Sequence, residues 1–208
     1  GKLLVTNSIG MTRAVTLDGN GEIDTASATT TTLTGDITGA GALAKSGTGT
    51  LVLSNTVANT WSGGMAINDG RVKMLTAQAV GTGNITNNGV FEIAVPTAVA
   101  AGSTSNIYNT ISGTGSVVRS GVAGQGISLA GSNDNTYTGL TVVNSGTLRL
   151  EKTAGAKSFG GDAQINGGAL IISGSEQTPT NSTITVNAGT LDMSPTMVAG
   201  KTNTFGTL

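Results

Sequence analysis

The stretch Asn144-Ser145-Gly146-Thr147-Leu148-Arg149-Leu150 decides the fold, because its pattern occurs five times in the 208-residue chain. In every copy a glycine follows an asparagine by two positions, and apolar residues stand at the second and fourth positions after that glycine. The five copies place the candidate structural turn positions at Asn68, Gly70, Asn87, Gly89, Asn144, Gly146, Asn166, Gly168, Asn187 and Gly189.

Asparagine and glycine tolerate left-handed backbone better than other residues do. The residues after each glycine alternate between apolar and polar, which is the period of a strand with one buried face. We therefore expect each copy to be a left-handed turn that leads into a strand. With a weaker copy at Gly49, the inward side chains should form two apolar columns, which comprise Leu51, Leu53, Val72, Met74, Phe91, Ile93, Leu148, Leu150, Leu170, Ile172, Leu191 and Met193.

The spacing of the glycines distinguishes between two all-β architectures. Gly49, Gly70 and Gly89 follow one another at intervals of about 20 residues. A meander of hairpins would show a turn about every 8 to 12 residues. A β-helix needs the same turn once in each coil of about 20 residues. The sequence therefore predicts a single parallel β-helix over residues 1–208, with about nine or ten coils.

A longer repeat overlies the coil period. Asn59-Thr60-Trp61-Ser62-Gly63 recurs several coils later as Asn135-Thr136-Tyr137-Thr138-Gly139. This echo indicates that a block of several coils has been duplicated. Because Trp61 and Tyr137 take equivalent positions, we expect them to brace the edge of a coil rather than to stack on sugars.

Two segments break the pattern. The Ala-rich segment 94–105 contains Pro96, which favours a loop that leaves the solenoid, with one short helix as the alternative. Ile127 and Leu129 are displaced by one residue relative to the repeat, so we expect a β-bulge or a local shift of one residue near Gly126.

The composition excludes most kinds of chemistry. Histidine and cysteine are absent, which removes the Ser-His-Asp triad, imidazole and thiolate metal ligands, and disulfides. The 10 basic and 11 acidic residues are scattered singly and give a net charge of −1, so no nucleic-acid-binding patch is expected. No run approaches the roughly 18 apolar residues of a membrane helix. We expect no catalytic, cofactor or metal site, and no membrane insertion by this segment.

Two motifs are weak candidates for chemistry. Glu22 and Asp24 lie two residues apart and would share one face of a strand. Paired carboxylates of this kind cleave polysaccharides in glycosidases, but a solvated outer face is the simpler interpretation. Gly160-Gly161-Asp162 matches a fragment of a calcium-binding repeat, and a single copy favours a plain turn.

The runs Ser46-Gly47-Thr48-Gly49-Thr50-Leu51-Val52-Leu53 and 135–150 resemble the passenger-associated transport repeat of bacterial autotransporters. The resemblance covers residues 37–74 and 111–150 and is weaker elsewhere. It implies a right-handed parallel β-helix that is part of a longer surface protein exported by an outer-membrane barrel. It also implies a location outside, or on the surface of, a Gram-negative cell.

Three functions remain open at this point. The leading hypothesis is a structural or adhesive surface scaffold, whose partner would be a host surface or a carbohydrate. The alternatives are a self-associating subunit of an extracellular filament or sheath, and a carbohydrate-active β-helix enzyme. Two features would report the register of the coils: an exposed ion pair between Lys73 and Glu92, and amide ladders that join Asn68 to Asn87 and that join Asn144, Asn166 and Asn187.

Overall fold

A computed structural model of the protein describes residues 1–76, 78–96, 104–124, 126–153 and 155–193. In this part of the chain every regular element is a β-strand and every strand pairing is parallel. The strands stack as a β-solenoid of about eight turns, about 22 residues apart. The prediction of an all-β parallel β-helix is confirmed, with coils that are slightly longer and fewer than expected.

The described ranges contain 22 strands, which follow one another in chain order: β1 (Lys2–Val5), β2 (Ile9–Met11), β3 (Val15–Thr16), β4 (Gly21–Thr25), β5 (Thr30–Leu33), β6 (Ile37–Thr38), β7 (Leu43–Ser46), β8 (Thr50–Leu53), β9 (Met65–Ile67), β10 (Arg71–Met74), β11 (Ile85–Asn87), β12 (Val90–Ile93), β13 (Thr104–Ile107), β14 (Ile111–Ser112), β15 (Ser116–Ser120), β16 (Gly126–Gly131), β17 (Thr141–Ser145), β18 (Thr147–Lys152), β19 (Ala163–Ile165), β20 (Ala169–Ile172), β21 (Ile184–Val186) and β22 (Thr190–Asp192). No helix in these ranges is long and apolar enough to cross a membrane.

The strands lie on three sides of the solenoid, which the chain visits in a fixed order. Side one is the sheet β1-β4-β7-β9-β11-β14, and side two is the sheet β2-β5-β8-β10-β12-β15-β17-β19-β21. Side three begins as the pair β3-β6 and continues later as the sheet β13-β16-β18-β20-β22. Between these two sheets the third side is formed by residues 54–64 and 75–84, whose described residues form no strand.

Side two shows how the repeats stack. Val72 of β10 lies between Leu51 of β8 and Phe91 of β12, and all three side chains are fully buried. Because inward positions align from coil to coil, apolar side chains form a continuous interior. Burial of each such side chain contributes about 1.5–3 kcal/mol, which makes these columns the main source of stability.

The columns do not run straight along the solenoid, and this part of the prediction is wrong. Phe91 pairs with Val117 on side two. Leu148 and Leu170, which the repeat assigns to the same column as Phe91, pair with each other on side three. The first half of each predicted column therefore lies on side two, and the second half lies on side three.

One long coil causes this change of side. Arg71 reaches its partner Val90 over a short coil, whereas Val90 reaches its own partner, Ser116, over a much longer one. The extra length adds β13 on side three before the chain returns to side one. From there on the duplicated block is rotated by one side, so that Met65 is on side one and its equivalent, Thr141, is on side two.

Of the two alternatives near Gly126, the bulge is wrong and the local shift of one residue is confirmed. Strand β16 pairs with β18 in unbroken register, because Gly126 occupies the place of Thr147 rather than that of the repeat glycine. The register shift lies in β15 and β17 instead, where Arg119 pairs with Val143 and the next residue pairs with Ser145. The skipped residue of β17 is Asn144 of the repeat.

Most of the predicted loop 94–105 cannot be compared with the structure, since residues 97–103 lie outside the described part. Ala94 and Val95 at its start are buried. Thr104 and Ser105 at its end belong to strand β13.

Candidate functional surface

The repeat glycines form the corner between sides one and two in the first half and between sides two and three in the second half. Gly70, Gly146, Gly168 and Gly189 have φ values of +65°, +71°, +69° and +91°. A Cβ atom on Gly168 would lie 2.2 Å from the carbonyl oxygen of Gly146 in the coil before it. The left-handed conformation falls on these glycines and on none of the five repeat asparagines, all of which lie in the described part.

The turn at Gly89 differs from the others, because it is one residue shorter. The step from Arg71 to its partner Val90 is one residue shorter than the step from Met65 to its partner Ile85. As a result Asn87 pairs with Ile67 and points inward, and the predicted ladder between Asn68 and Asn87 is wrong.

The inward asparagine of this turn is only partly satisfied. Asn87 donates from Nδ2 to the carbonyl oxygen of Ser116 at 2.9 Å. Its buried Oδ1 has no hydrogen-bond partner among the described residues. The side chain therefore ties its coil to the next one instead of continuing a surface ladder.

The second predicted ladder is confirmed. Asn166 donates from Nδ2 to Asn144 Oδ1 at 2.9 Å, and Asn187 donates from Nδ2 to Asn166 Oδ1 at 2.8 Å. These amides are exposed, so water competes for the same hydrogen bonds and each contributes little to stability.

The predicted contact between Lys73 and Glu92 is confirmed, although its environment differs from the prediction. The two residues are partners in the β10–β12 ladder, and the side chain of Glu92 is only 9% exposed. Its carboxylate is also bound by Arg71 and by the hydroxyl of Ser120. Burial acts to raise the pKa of Glu92, but the hydrogen bonds from Ser120 and Arg71 and the charge of Lys73 outweigh it and leave the pKa below its ordinary value.

The weak candidates for chemistry are held in structural contacts. Lys2 Nζ lies 3.1 Å from a Glu22 oxygen and 2.7 Å from an Asp24 oxygen, so one cation bridges both carboxylates. Asp162 accepts a hydrogen bond from the backbone N–H of Thr183 at 2.8 Å, which joins its coil to the next one. Among the described residues, no group of three or more acidic side chains could hold a metal ion.

The equivalent aromatic residues Trp61 and Tyr137 are both fully buried in the core. Trp61 donates from Nε1 to the carbonyl oxygen of Gly64 at 3.0 Å. The hydroxyl of Tyr137 lies 2.7 Å from the hydroxyl of Thr141. Both rings pack inside their coils and cannot stack on a sugar from solvent.

In each block a buried asparagine links three coils by hydrogen bonds. The sequence analysis did not assign this role. Asn59 accepts from the backbone N–H of Ile37 at 2.7 Å and donates to the carbonyl oxygen of Ala79 at 2.7 Å. Asn135 makes the equivalent bonds to Ile111 and Ser158, both at 2.9 Å. Both asparagines lie in the long repeat, and their equivalent positions were the sequence signal that could have revealed this role.

Three buried cations were also missed. Lys45, Arg119 and Lys152 are at most 3% exposed. Lys45 donates to the carbonyl oxygens of Ser46 and Gly47 at 2.7 and 2.6 Å, and the other two also bind carbonyl oxygens of neighbouring coils. Burial lowers the pKa of Arg119 to about 10 and lowers the pKa of both lysines. The alternation of inward positions in β7 and β15 is the signal that could have revealed the first two.

A groove opens on side three where β13 begins its sheet. Among the described strands β13 is an edge strand, and its one partner there is β16. Two adjoining cavities of about 440 and about 320 Å³ separate it from Thr56, Val57 and Ala58 and from Thr76 and Gln78 of the earlier coils. We call this feature the seam groove, because it lies where the two halves of the solenoid meet.

The described lining of the seam groove carries no charged side chain. Tyr108 stands at its edge with 67% of the residue exposed, and Asn106 donates to the Tyr108 hydroxyl at 2.8 Å. Thr76 Oγ1 and Asn106 Oδ1 are buried and have no hydrogen-bond partner among the described residues. The groove therefore combines an exposed aromatic ring with neutral polar side chains.

Comparison with known sequences identifies the repeats that contain the corner glycines of the solenoid. The family model of the passenger-associated-transport-repeat matches residues 43–74 and 128–150. The chain contains passenger-associated transport repeats. They include the corner glycines Gly70 and Gly146, and the resemblance seen in the sequence is confirmed.

One curated relative extends this similarity beyond the matched repeats. The chain is 38% identical, in an alignment of 182 residues that covers 79% of the chain, to the Adhesin BmaC autotransporter of Brucella suis biovar 1 (strain 1330). The chain spans about 5% of the length of that relative. No solved structure matches the chain significantly. The passenger-associated transport repeats thus resemble a short part of a much longer autotransporter.

Proposed function

We propose that this chain is an adhesive, non-enzymatic segment of an autotransporter passenger displayed on a Gram-negative cell. The observation that supports this most directly is the combination of passenger-associated transport repeats with 38% identity to a protein named as an adhesin. The stacked coils give a stiff scaffold, since each coil is held by parallel ladders and buried columns on both sides. Such a scaffold holds a binding surface away from the cell.

A catalytic role has little physical support in the described residues. Glu22 and Asp24 share Lys2 as their counter-ion, and Glu92 is held by two cations. A glycosidase needs two carboxylates that flank a substrate, one of them available to transfer a proton. Carboxylates held in this way support the scaffold.

The partner we propose is a host surface or a surface carbohydrate. Nucleic acid is a poor candidate, because the 10 basic residues are balanced by 11 acidic residues, and three of the basic residues, Lys45, Arg119 and Lys152, are buried.

Adhesion by the isolated chain tests this proposal. Beads coated with the folded chain should bind cultured epithelial cells, while beads coated with the same amount of heat-unfolded chain should not. Equal binding by the two preparations, or none by the folded chain, would contradict an adhesive function. Incubation with polysaccharides should release no new reducing ends, and their release would contradict the non-enzymatic assignment.

A further inference from the structure

We propose that the seam groove is the carbohydrate-binding site of this segment and that it takes a neutral oligosaccharide. This inference rests on the proposed adhesive function and names the site and the chemical class of its ligand. The groove is defined here by Thr56, Val57, Thr76, Gln78, Asn106 and Tyr108.

The aromatic ring is the first argument. Within the described residues Tyr108 is the one exposed aromatic side chain, since Trp61, Phe91, Tyr137 and Phe159 are all fully buried. A tyrosine offers a flat apolar face together with a polar edge, which matches the C–H face and the hydroxyl rim of a sugar ring. The contact from Asn106 holds the ring at the edge of the groove.

The polar groups are the second argument. Hydroxyl and amide side chains line the groove, and they comprise Thr56, Thr76, Gln78 and Asn106. Neutral groups of this kind both donate and accept hydrogen bonds, as the hydroxyls of a sugar do. The lack of charge in the described lining favours a neutral sugar over a uronate or a phosphate.

The size and position of the groove agree with this ligand. Its two adjoining cavities, of about 440 and about 320 Å³, can together hold several sugar residues in an extended chain. The groove exists only because the duplicated block is rotated by one side at β13, which leaves an edge strand opposite coils that have no strand on side three.

A peptide strand added to the edge of β13 is the competing occupant. Strand addition draws specificity from pockets that accept alternate side chains, and these pockets are usually apolar. Val57, at 53% exposure, is the one large aliphatic side chain exposed in the described lining of the groove, and the small Ala58 beside it is also exposed. The many hydroxyl and amide side chains of the lining therefore favour the sugar.

Saturation-transfer NMR on the full chain tests the site with cellohexaose, chitohexaose and mannohexaose as neutral probes and hexagalacturonate as the charged probe. At least one neutral probe should receive saturation. Tyr108→Ala should weaken its binding about tenfold, as loss of an aromatic contact does, while Tyr108→Phe should retain most of it. Val122→Ala, at an exposed residue outside the groove, is the matched control and should bind like the unmodified protein.

Several results would overturn the site. These are transfer to none of the neutral probes, transfer to hexagalacturonate alone, binding that Tyr108→Ala leaves unchanged in a folded protein, and protection of β13 amides from exchange by an extended peptide but by no oligosaccharide. Cell adhesion separates this inference from the proposed function. If beads coated with the Tyr108→Ala variant adhere as well as beads coated with the unmodified chain, the proposed site is contradicted and the adhesive function is not. If the chain binds an oligosaccharide but no cells, the adhesive function is contradicted and the proposed site is not.

Discussion

Lys73 and Glu92 face each other across neighbouring strands of side two, with 3.3 Å between Lys73 Nζ and Glu92 Oε1. Arg71 on the same strand as Lys73 binds the other carboxylate oxygen, and Ser120 binds from the following coil. One carboxylate therefore joins three successive coils at the point where the solenoid changes side.

Replacing this carboxylate should reduce stability most above pH 4.5. Because its folded pKa lies below the ordinary value of 4.5, its stabilising contribution is complete above pH 4.5 and is lost as the pH falls through the folded pKa. At pH 7, Glu92→Gln should lower the free energy of unfolding by about 1–2 kcal/mol. The difference from the unmodified protein should shrink in acid, and urea titrations at pH 7 and pH 3 measure it.

Glu176→Gln is the matched control. Glu176 pairs with Lys157 at 3.8 Å and its side chain is 47% exposed, so we expect a change of less than about 0.5 kcal/mol. If Glu92→Gln were no more destabilising than Glu176→Gln at pH 7, the three-coil contact would be energetically irrelevant.

The buried asparagine of the second block should be essential for stability. Asn135→Ala removes two hydrogen bonds and leaves the backbone N–H of Ile111 and the carbonyl of Ser158 without them. We expect a loss of about 2–3 kcal/mol, the cost of buried groups left unpaired. Asn144→Ala removes only an exposed amide contact and should cost about 0.5 kcal/mol or less. If chemical denaturation showed the same loss of unfolding free energy for both variants, the buried asparagine would contribute no more than the exposed amide ladder.

Gly168, the repeat glycine at the corner between sides two and three, should tolerate no side chain. Gly168 has φ +69°, and a Cβ atom there would lie 2.2 Å from Gly146 O. Gly168→Ala should therefore lower the unfolding free energy by about 2–4 kcal/mol. Gly19→Ala, where no atom lies within 4 Å of the new Cβ, should change it by less than about 0.5 kcal/mol. Similar melting curves for the two variants would contradict the stacked corner.

The sequence was sufficient to predict the solenoid, because a stacked coil repeats the same local requirements at a fixed interval. For the strands that follow the repeat glycines it identified inward residues, such as Val72 and Leu148. It could not identify on which side each strand lies, because that depends on the length of one irregular coil between Val90 and Ser116.

The candidate site could not be predicted from the sequence for the same reason. Tyr108 and Thr76 are far apart in the chain and line one groove only because β13 opens a new sheet. The buried roles of Asn59 and Asn135 were also hidden, since an asparagine in a loop has the same sequence signal whether it faces water or staples coils.

The rotation of the second block by one side is the central structural claim, because both the seam groove and the later columns depend on it. Val90 pairs with Ser116 in the structure. A column that ran straight from Phe91 to Ile127 would instead place Gly126 beside Val90. The chain has no cysteine of its own, so a disulfide between two introduced cysteines reports directly which strands are neighbours. Neighbouring parallel strands lie about 4.8 Å apart, within the range that a disulfide spans.

Oxidation of two double variants, followed by mass spectrometry of the folded monomer, is the most direct test. Val90→Cys with Ser116→Cys should form an intramolecular disulfide readily, and Val90→Cys with Gly126→Cys should stay reduced. A disulfide in the second variant and none in the first would show that the block continues on the same side, and would contradict the rotation and the groove that follows from it.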